Sequence, residues 1–63
     1  MGDIMFKLTI NTDNAAFNEY ERDRNTETAR ILRVAAEVVS QGGTEGTVFD
    51  SNGNKVGKFS FVE

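Results

Sequence analysis

The chain has 63 residues, a net charge of −3, and neither cysteine nor histidine. These absences exclude disulfides, thiolate metal sites and histidine-based catalysis, and the acidic balance disfavours nucleic-acid binding, which depends on neutralising phosphates. A chain this short forms one domain, over residues 1–63, and buries only about 60% of the surface that its unfolded form exposes.

The N-terminal residues 1–4, MGDI, lack the basic leader and the apolar core of a signal peptide. Met5 is an alternative native start, in which case MGDI is leader sequence, and both starts stay open. No apolar run in the chain approaches the roughly 20 residues that a membrane span needs. The lack of cysteine is typical of a cytoplasmic protein. We therefore expect no membrane contact.

Residues 4–11, IMFKLTIN, alternate between apolar and polar side chains. This period of two predicts a half-buried strand with Ile4, Phe6, Leu8 and Ile10 on its inner face.

Residues 12–25, TDNAAFNEYERDRN, are charged and show no clean period, so we predict a long surface loop. Phe17 and Tyr20 lie three apart, which allows one helical turn within it. Loops of this length in small domains are often functional. Phe17 can either cap the core or contact a partner, whereas Tyr20 is expected to be exposed.

Residues 26–43, TETARILRVAAEVVSQGG, have the pattern of an amphipathic helix. Asn25 or Thr26 is the expected cap at its start, and Gly42 with Gly43 predicts a left-handed stop. Its apolar stripe recurs at helical spacing and consists of Ile31, Leu32, Ala35, Val38 and Val39.

Residues 44–50 and 54–63 are predicted strands around a turn, and Asp50, Asn52 and Asn54 within this stretch hint at a calcium loop. Such a loop needs a glycine at its sixth position and a glutamate at its twelfth. Lys55 and Phe61 stand there instead. We therefore favour a hairpin turn over an ion site.

Two hairpin registers fit this turn. A three-residue loop with a bulge at Gly53 places Val48 opposite Val56 and sends Phe49, Phe59 and Phe61 to the core. A two-residue turn at Asn52 and Gly53 instead puts Val48 on the face of Phe59 and Phe61. The bulged turn is favoured because it buries three phenylalanines together.

The element order predicts a two-layer α+β fold, β-α-β-β, in which one helix packs on a three-stranded, mainly antiparallel sheet. The last strand is expected in the middle, and parallel pairing of the first two strands is the alternative. The predicted core comprises Ile4, Phe6, Leu8, Ile10, Leu32, Ala35, Val39, Phe49, Phe59 and Phe61. The opposite sheet face would carry Met5, Lys7, Thr9, Val48, Val56, Lys58 and Ser60. One helix cannot cover both faces, so this face or an edge strand is expected to meet a partner.

The residue types predict a non-enzymatic protein with no cofactor and no metal, which acts by binding another protein or a second copy of itself. The candidate contact residues are Phe17, Glu19, Tyr20, Glu21, Asp23, Arg30, Arg33, Val48, Val56 and Lys58. Two alternatives stay open. One is an acidic mimic of nucleic acid that uses Glu19, Glu21 and Asp23. The other is a weak nucleic-acid binder that uses Arg22, Arg24, Arg30 and Arg33.

Three runs, LTINTDNAAF, ARILRVAAEVV and GTVFDSNGNKVGKF, together resemble a family of short proteins from phage and prophage genomes. The resemblance extends over nearly the whole chain from Met5. It implies a phage accessory protein that acts in the bacterial cytoplasm, and by analogy an inhibitor of a host protein, including host defence complexes. It carries over no activity to particular residues.

Overall fold

A computed structural model describes residues 2–18 and 21–63, with only the backbone of residues 21 and 22. The strands form one sheet in the order β1-β3-β2, with both pairings antiparallel and a helix packed on one face. The α+β prediction and the central position of the last strand are confirmed, and the parallel alternative is wrong. The elements are β1 (Met5–Ile10), α1 (Ala15–Asn18), α2 (Glu21–Ser40), β2 (Glu45–Phe49) and β3 (Lys55–Val62).

Helix α2 begins at Glu21 rather than at Thr26, so the predicted loop over residues 12–25 is wrong for residues 21–25. Glutamate and arginine favour the helix intrinsically, and a turn of charged and polar residues can extend a helix without an apolar period. The predicted caps at Asn25 and Thr26 are wrong because both residues lie inside the helix.

The loop prediction is also wrong for Ala15–Asn18, which forms the short helix α1. Asn14 precedes it, and its side-chain Oδ1 accepts the amide hydrogen of Ala16 at 3.0 Å. An asparagine in this position satisfies an amide at the helix start that would otherwise lack a partner. A helical turn around Phe17 is therefore present and positioned by its own cap, whereas Tyr20, the other residue of the predicted turn, lies outside the described residues.

Helix α2 ends as its glycines predicted. Gly42 has a φ of 96°, its amide donates to the carbonyl of Val39 at 3.0 Å, and the amide of Gly43 donates to the carbonyl of Val38 at 2.9 Å. These two bonds with a left-handed glycine form a Schellman cap. Among the described residues, no helix combines the length and the apolar character needed to cross a membrane.

The hairpin between β2 and β3 has the predicted three-residue loop. The Asp50 amide donates to the Asn54 carbonyl at 2.9 Å, Gly53 has a φ of 85°, and Phe49 lies opposite Lys55. The predicted pairing of Val48 with Val56 is wrong, because the register shifts again at the next position.

This second irregularity is a bulge in β3 at Val56. Val48 lies opposite Gly57, which leaves Val56 as an extra residue between the paired positions. A bulge lets the strand change the face on which its next side chains lie. Gly57 follows the bulge and lets β1 approach β3 closely, since a Cβ at this position would overlap the carbonyl oxygen of Thr9.

The bulge reverses the predicted faces around it. Val48 and Val56 were expected on the open face but are buried, and Phe49 was expected in the core but is 51% exposed. The buried core consists of Phe17, Ile31, Ala35, Val48, Val56 and Phe59, with Leu8, Ile10, Ala16 and Val39 packed against it.

Four further members of the predicted core lie at the surface. Ile4 is 68% exposed, and the others are between 43% and 47% exposed: Phe6, Leu32 and Phe61. The predictions for Ala35 and Phe59 are confirmed, and Leu8, Ile10 and Val39 are partly buried. The core therefore lies toward β2 and α1, and the part of the sheet around β1 is thinly covered.

The face of the sheet opposite α2 carries the side chains that alternate with those of the core. All three lysines of the chain are among the residues of this face, either by strand alternation or by pairing with Phe49. They are Lys7, Lys55 and Lys58. We refer to this surface as the open face.

Candidate protein-binding groove

An apolar groove of about 380 Å³ lies between α2 and the half of the sheet that contains β1. A single polar side chain, that of Ser40, is among its walls. The lining residues are Phe6, Leu8, Leu32, Ala35, Ala36, Val39, Ser40 and Phe61.

Two phenylalanine rings, Phe6 and Phe61, line the groove, and Phe6 packs on the buried ring of Phe59. The ring of Phe6 lies edge-on to that of Phe61, with centroids 5.0 Å apart, and 5.8 Å from that of Phe59. Such tilted arrangements suit the electrostatics of aromatic rings. Phe59 is 3% exposed, whereas Phe6 and Phe61 are 43% and 45% exposed. The cluster is therefore anchored in the core at one end and bare at the other.

The groove exists because α2 lies toward β2 and does not cover the whole sheet. Its main contacts with the strands are to β2, where Gly46 leaves room for the ring of Phe59, which lies 2.6 Å from where a Cβ would be. A helix is about 10 Å wide, and three strands spaced about 4.8 Å apart span more than that. The β1 side of the sheet consequently stays uncovered.

A polar network behind the hairpin holds these elements in place, and Asp50 is its centre. Its carboxylate is 4% exposed and accepts the amides of Asn52 (2.9 Å) and Asn54 (2.8 Å) and the side-chain amide of Asn14 (2.6 Å). Burial, the largest single influence, acts to raise the pKa of Asp50, but the hydrogen bonds from Asn54, Asn52 and Asn14 together lower it below its ordinary value. Asp50 thus ties the loop to the start of α1.

Glu27 ties the same loop to α2. Its carboxylate accepts Arg30 Nε at 2.7 Å and the Ser51 amide at 2.6 Å, and Arg30 Nη2 also donates to the carbonyl of Phe49 at 3.1 Å. The hydrogen bond from Arg30 lowers the pKa of Glu27, against the effect of its burial, and the Ser51 amide adds to the lowering. These contacts fix α2 over β2.

Asp50, the one carboxylate of the stretch that hinted at calcium, is engaged by protein hydrogen bonds. Both Asp50 oxygens accept amide donors. Within the described parts of the chain, no group of three or more acidic side chains is arranged to hold a metal ion. The turn interpretation accounts for the Asp50 bonds from Asn52 and Asn54, and the bond from Asn14 joins the turn to the start of α1.

Three of the predicted contact residues are wrong for a partner surface, because they lie in the core. Phe17 is 0% exposed, Val48 2% and Val56 7%. Phe17 takes the first of its two expected roles and fills the space beneath α1. Val48 and Val56 are buried by the bulge described above.

The other predicted contact residues are scattered. Arg30 is half-buried and paired with Glu27, whereas Arg33 on α2 and Lys58 on the open face are exposed, and Asp23 is partly buried. Glu19, Tyr20 and the side chain of Glu21 fall outside the described residues. The described members of this set, Asp23, Arg30, Arg33 and Lys58, do not form one surface.

The three large exposed residues of the groove were predicted, but for the wrong role. Phe6, Leu32 and Phe61 were assigned to the core because their spacing matches its faces. The sequence did contain a signal for their exposure. One helix cannot bury the apolar face of three strands, so some apolar side chains on that face must stay exposed.

Compared with models of known protein families, with curated proteins and with solved structures, the chain matches none of them.

Proposed function

We propose that this chain is a non-enzymatic protein that acts by binding another protein, and that the apolar groove is its contact surface. The observation that carries the proposal is the bare end of the aromatic cluster. Phe6, Phe61 and Leu32 stay nearly half exposed beside a wall of small side chains.

The composition of the groove suits protein recognition. The centres of protein interfaces are depleted in charge and enriched in aromatic residues that fill desolvated pockets. Here the rings of Phe6 and Phe61 are pre-positioned by contact with each other. Ala36 and Ser40 on the opposite wall let a partner approach closely. Little conformational entropy would be lost on binding, because the floor is already packed on the core.

A non-enzymatic role is supported by the chemistry of the residues. The two shielded carboxylates, Asp50 and Glu27, have their oxygens engaged by amide and guanidinium donors. Their pKa values are lowered, which keeps them ionised rather than poised for proton transfer near neutral pH. Neither is placed to act as a general acid or base.

The proposal extends to a phage or prophage accessory role in the bacterial cytoplasm, with a host protein as the target and inhibition of a defence protein as the most specific form. This extension rests on the resemblance of the three sequence runs alone. Residues in those runs have structural tasks here, such as Asn14 at the Asp50 network and Gly57 at the bulge. The shared motifs are therefore compatible with a shared fold and leave the target open.

A matched pair of substitutions on α2 tests the groove. Leu32 and Val34 are 47% and 48% exposed, but only Leu32 lines the groove. We expect Leu32→Glu to reduce capture of a bacterial protein by the tagged chain at least tenfold, and Val34→Glu to leave it unchanged. Both variants should keep the circular dichroism spectrum of the parent chain. Equal capture by the two variants would contradict the proposal.

A further inference from the structure

The sheet has two edge strands, β1 and β2, which differ in length and in the hydrogen bonds that they receive from side chains. At the β2 edge, the strand is five residues long and the Phe49 carbonyl accepts a hydrogen bond from Arg30. Within the described part of the chain, no side chain bonds to the β1 edge: β1 is six residues long, free of bulges in its pairing with β3, and without proline. A regular edge strand of this kind is a template for a further strand.

The backbone groups that face outward from β1 can be identified. The Asn11 amide donates to the Val56 carbonyl at 2.7 Å, and alternate residues of an antiparallel strand direct their backbone groups to the same neighbour. Odd-numbered residues of β1 therefore bond to β3. The amides and carbonyls of Phe6, Leu8 and Ile10 point to the outer edge, where the described residues place no strand.

We propose that β1 of a second copy of this chain pairs with β1 in antiparallel orientation, across a twofold axis, to form a six-stranded sheet. The axis lies at Leu8, so that Leu8 faces its counterpart, Phe6 faces Ile10, and Lys7 faces Thr9 of the other copy.

The register between the two β1 strands follows from the sheet face on which each side chain lies and from the position of Lys7. Helix-side residues must stay opposite helix-side residues, so only pairings that shift by whole two-residue steps are allowed. Two of these pair five residues of the strand, one centred on Lys7 and the other on Leu8. Centring on Lys7 sets two ammonium groups opposite each other at a narrow, non-hydrogen-bonded pair, which is unfavourable. Centring on Leu8 sets each Lys7 opposite a threonine hydroxyl instead.

The available area makes this a weak dimer. A phenylalanine presents roughly 150–250 Å², so the bare part of Phe6, at 43% exposure, is under about 110 Å². With Leu8, Ile10 and the edge backbone, the contact amounts to a few hundred Å² per copy, short of the roughly 800 Å² per partner of a standard stable interface. Six edge hydrogen bonds and the apolar pairs therefore support association that depends on concentration.

The arrangement also goes beyond the proposed function by joining the two binding surfaces. Because β1 forms the groove side of each sheet, pairing across β1 places the two grooves next to each other between the two α2 helices. A partner with two suitable segments would bind the dimer with increased avidity.

Sedimentation equilibrium on a charge-swapped series tests the proposal. Thr9→Lys places a lysine opposite Lys7 of the other copy at two symmetry-related positions. We expect it to raise the dissociation constant of the dimer about tenfold. Thr9→Lys also opposes Lys58 within the same sheet, so it could act by weakening the fold. The double variant Lys7→Glu with Thr9→Lys keeps that internal clash but pairs opposite charges between copies, and should restore dimerisation.

A parent chain that stays monomeric up to about millimolar concentration would overturn the proposal, since weak interfaces of this size still associate there. A dimer that Thr9→Lys leaves unchanged would overturn it as well, because the register centred on Leu8 would then be wrong. A negative result for dimerisation can be distinguished from a negative result for partner binding in the groove. Leu32→Glu removes groove contacts but lies outside β1, so it should reduce partner capture while the dimer persists.

Discussion

Single side chains connect segments that are far apart in the sequence. Asp50 accepts backbone amides within its own turn from Asn52 and Asn54, as an aspartate at the start of a turn commonly does. Its bond to Asn14 and the bond from the Ser51 amide to Glu27 were not predicted. Local spacing reveals a turn, whereas a partner more than twenty residues away depends on how the elements pack.

These two carboxylates should make the chain sensitive to acid. Their pKa values in the folded state lie below the ordinary values of 4.5 for Glu27 and 3.8 for Asp50. Between the folded and the ordinary pKa values, the unfolded chain therefore binds more protons than the folded chain. Their contribution to stability is complete above about pH 5 and is lost as the pH falls through the folded pKa values. We expect the free energy of unfolding, measured in urea, to decline below pH 4.5.

Two substitutions separate this effect from general charge. Asp50→Asn should lower stability at pH 7 and make the decline toward pH 3 shallower, because one of the two shifted groups is gone. Asp13→Asn is the control, since Asp13 is exposed and its carboxylate accepts no hydrogen bond from the described residues. A steep decline that persists in Asp50→Asn would show that other groups control the acid response.

At the scale of elements, the sequence predicted which strands pair. The predicted sheet faces were wrong where one extra residue in β3 changes the side on which neighbouring side chains lie. The strand at β1, the helix stop at Gly42 and the three-residue hairpin loop all follow from local patterns. The bulge at Val56 does not, because a glycine within a strand, here Gly57, marks either a bulge or a close backbone approach, and the local pattern does not distinguish the two. One extra residue moved Val48 into the core and Phe49 out of it.

Gly57 should be the most sensitive glycine of the strands for this reason. A methyl group there would meet the Thr9 carbonyl, which is backbone and cannot rotate away. We expect Gly57→Ala to lower the free energy of unfolding by about 2–3 kcal/mol or more, as overpacking does. Gly2→Ala is the matched control, since nothing lies within 4 Å of its Cβ position, and it should change stability by less than about 0.5 kcal/mol. Equal stability of the two variants would contradict the close approach of β1 and β3.

For the whole molecule, size explains both the core and the groove. The fold class follows from element order. The extent to which apolar side chains are buried depends on how much of three strands one helix can cover, and no local sequence pattern reports that. The chain uses α1 as a second, smaller cover over the core and leaves the β1 side open. Phe17 is therefore the residue through which a short segment adds a large buried side chain to a small core.

Loss of that side chain should affect folding as a whole. At about 0.05–0.15 kcal/mol per residue, a domain of this length has a stability of roughly 3–9 kcal/mol, and removal of a fully buried phenylalanine costs about 3–5 kcal/mol. We expect Phe17→Ala to lose most of its stability and to be largely unfolded near 37 °C. Phe61→Ala deletes the same side chain from the groove, where it is 45% exposed, and should cost only about 1 kcal/mol. Urea unfolding followed by circular dichroism measures both, and similar losses in the two variants would mean that the aromatic cluster of the groove belongs to the core after all.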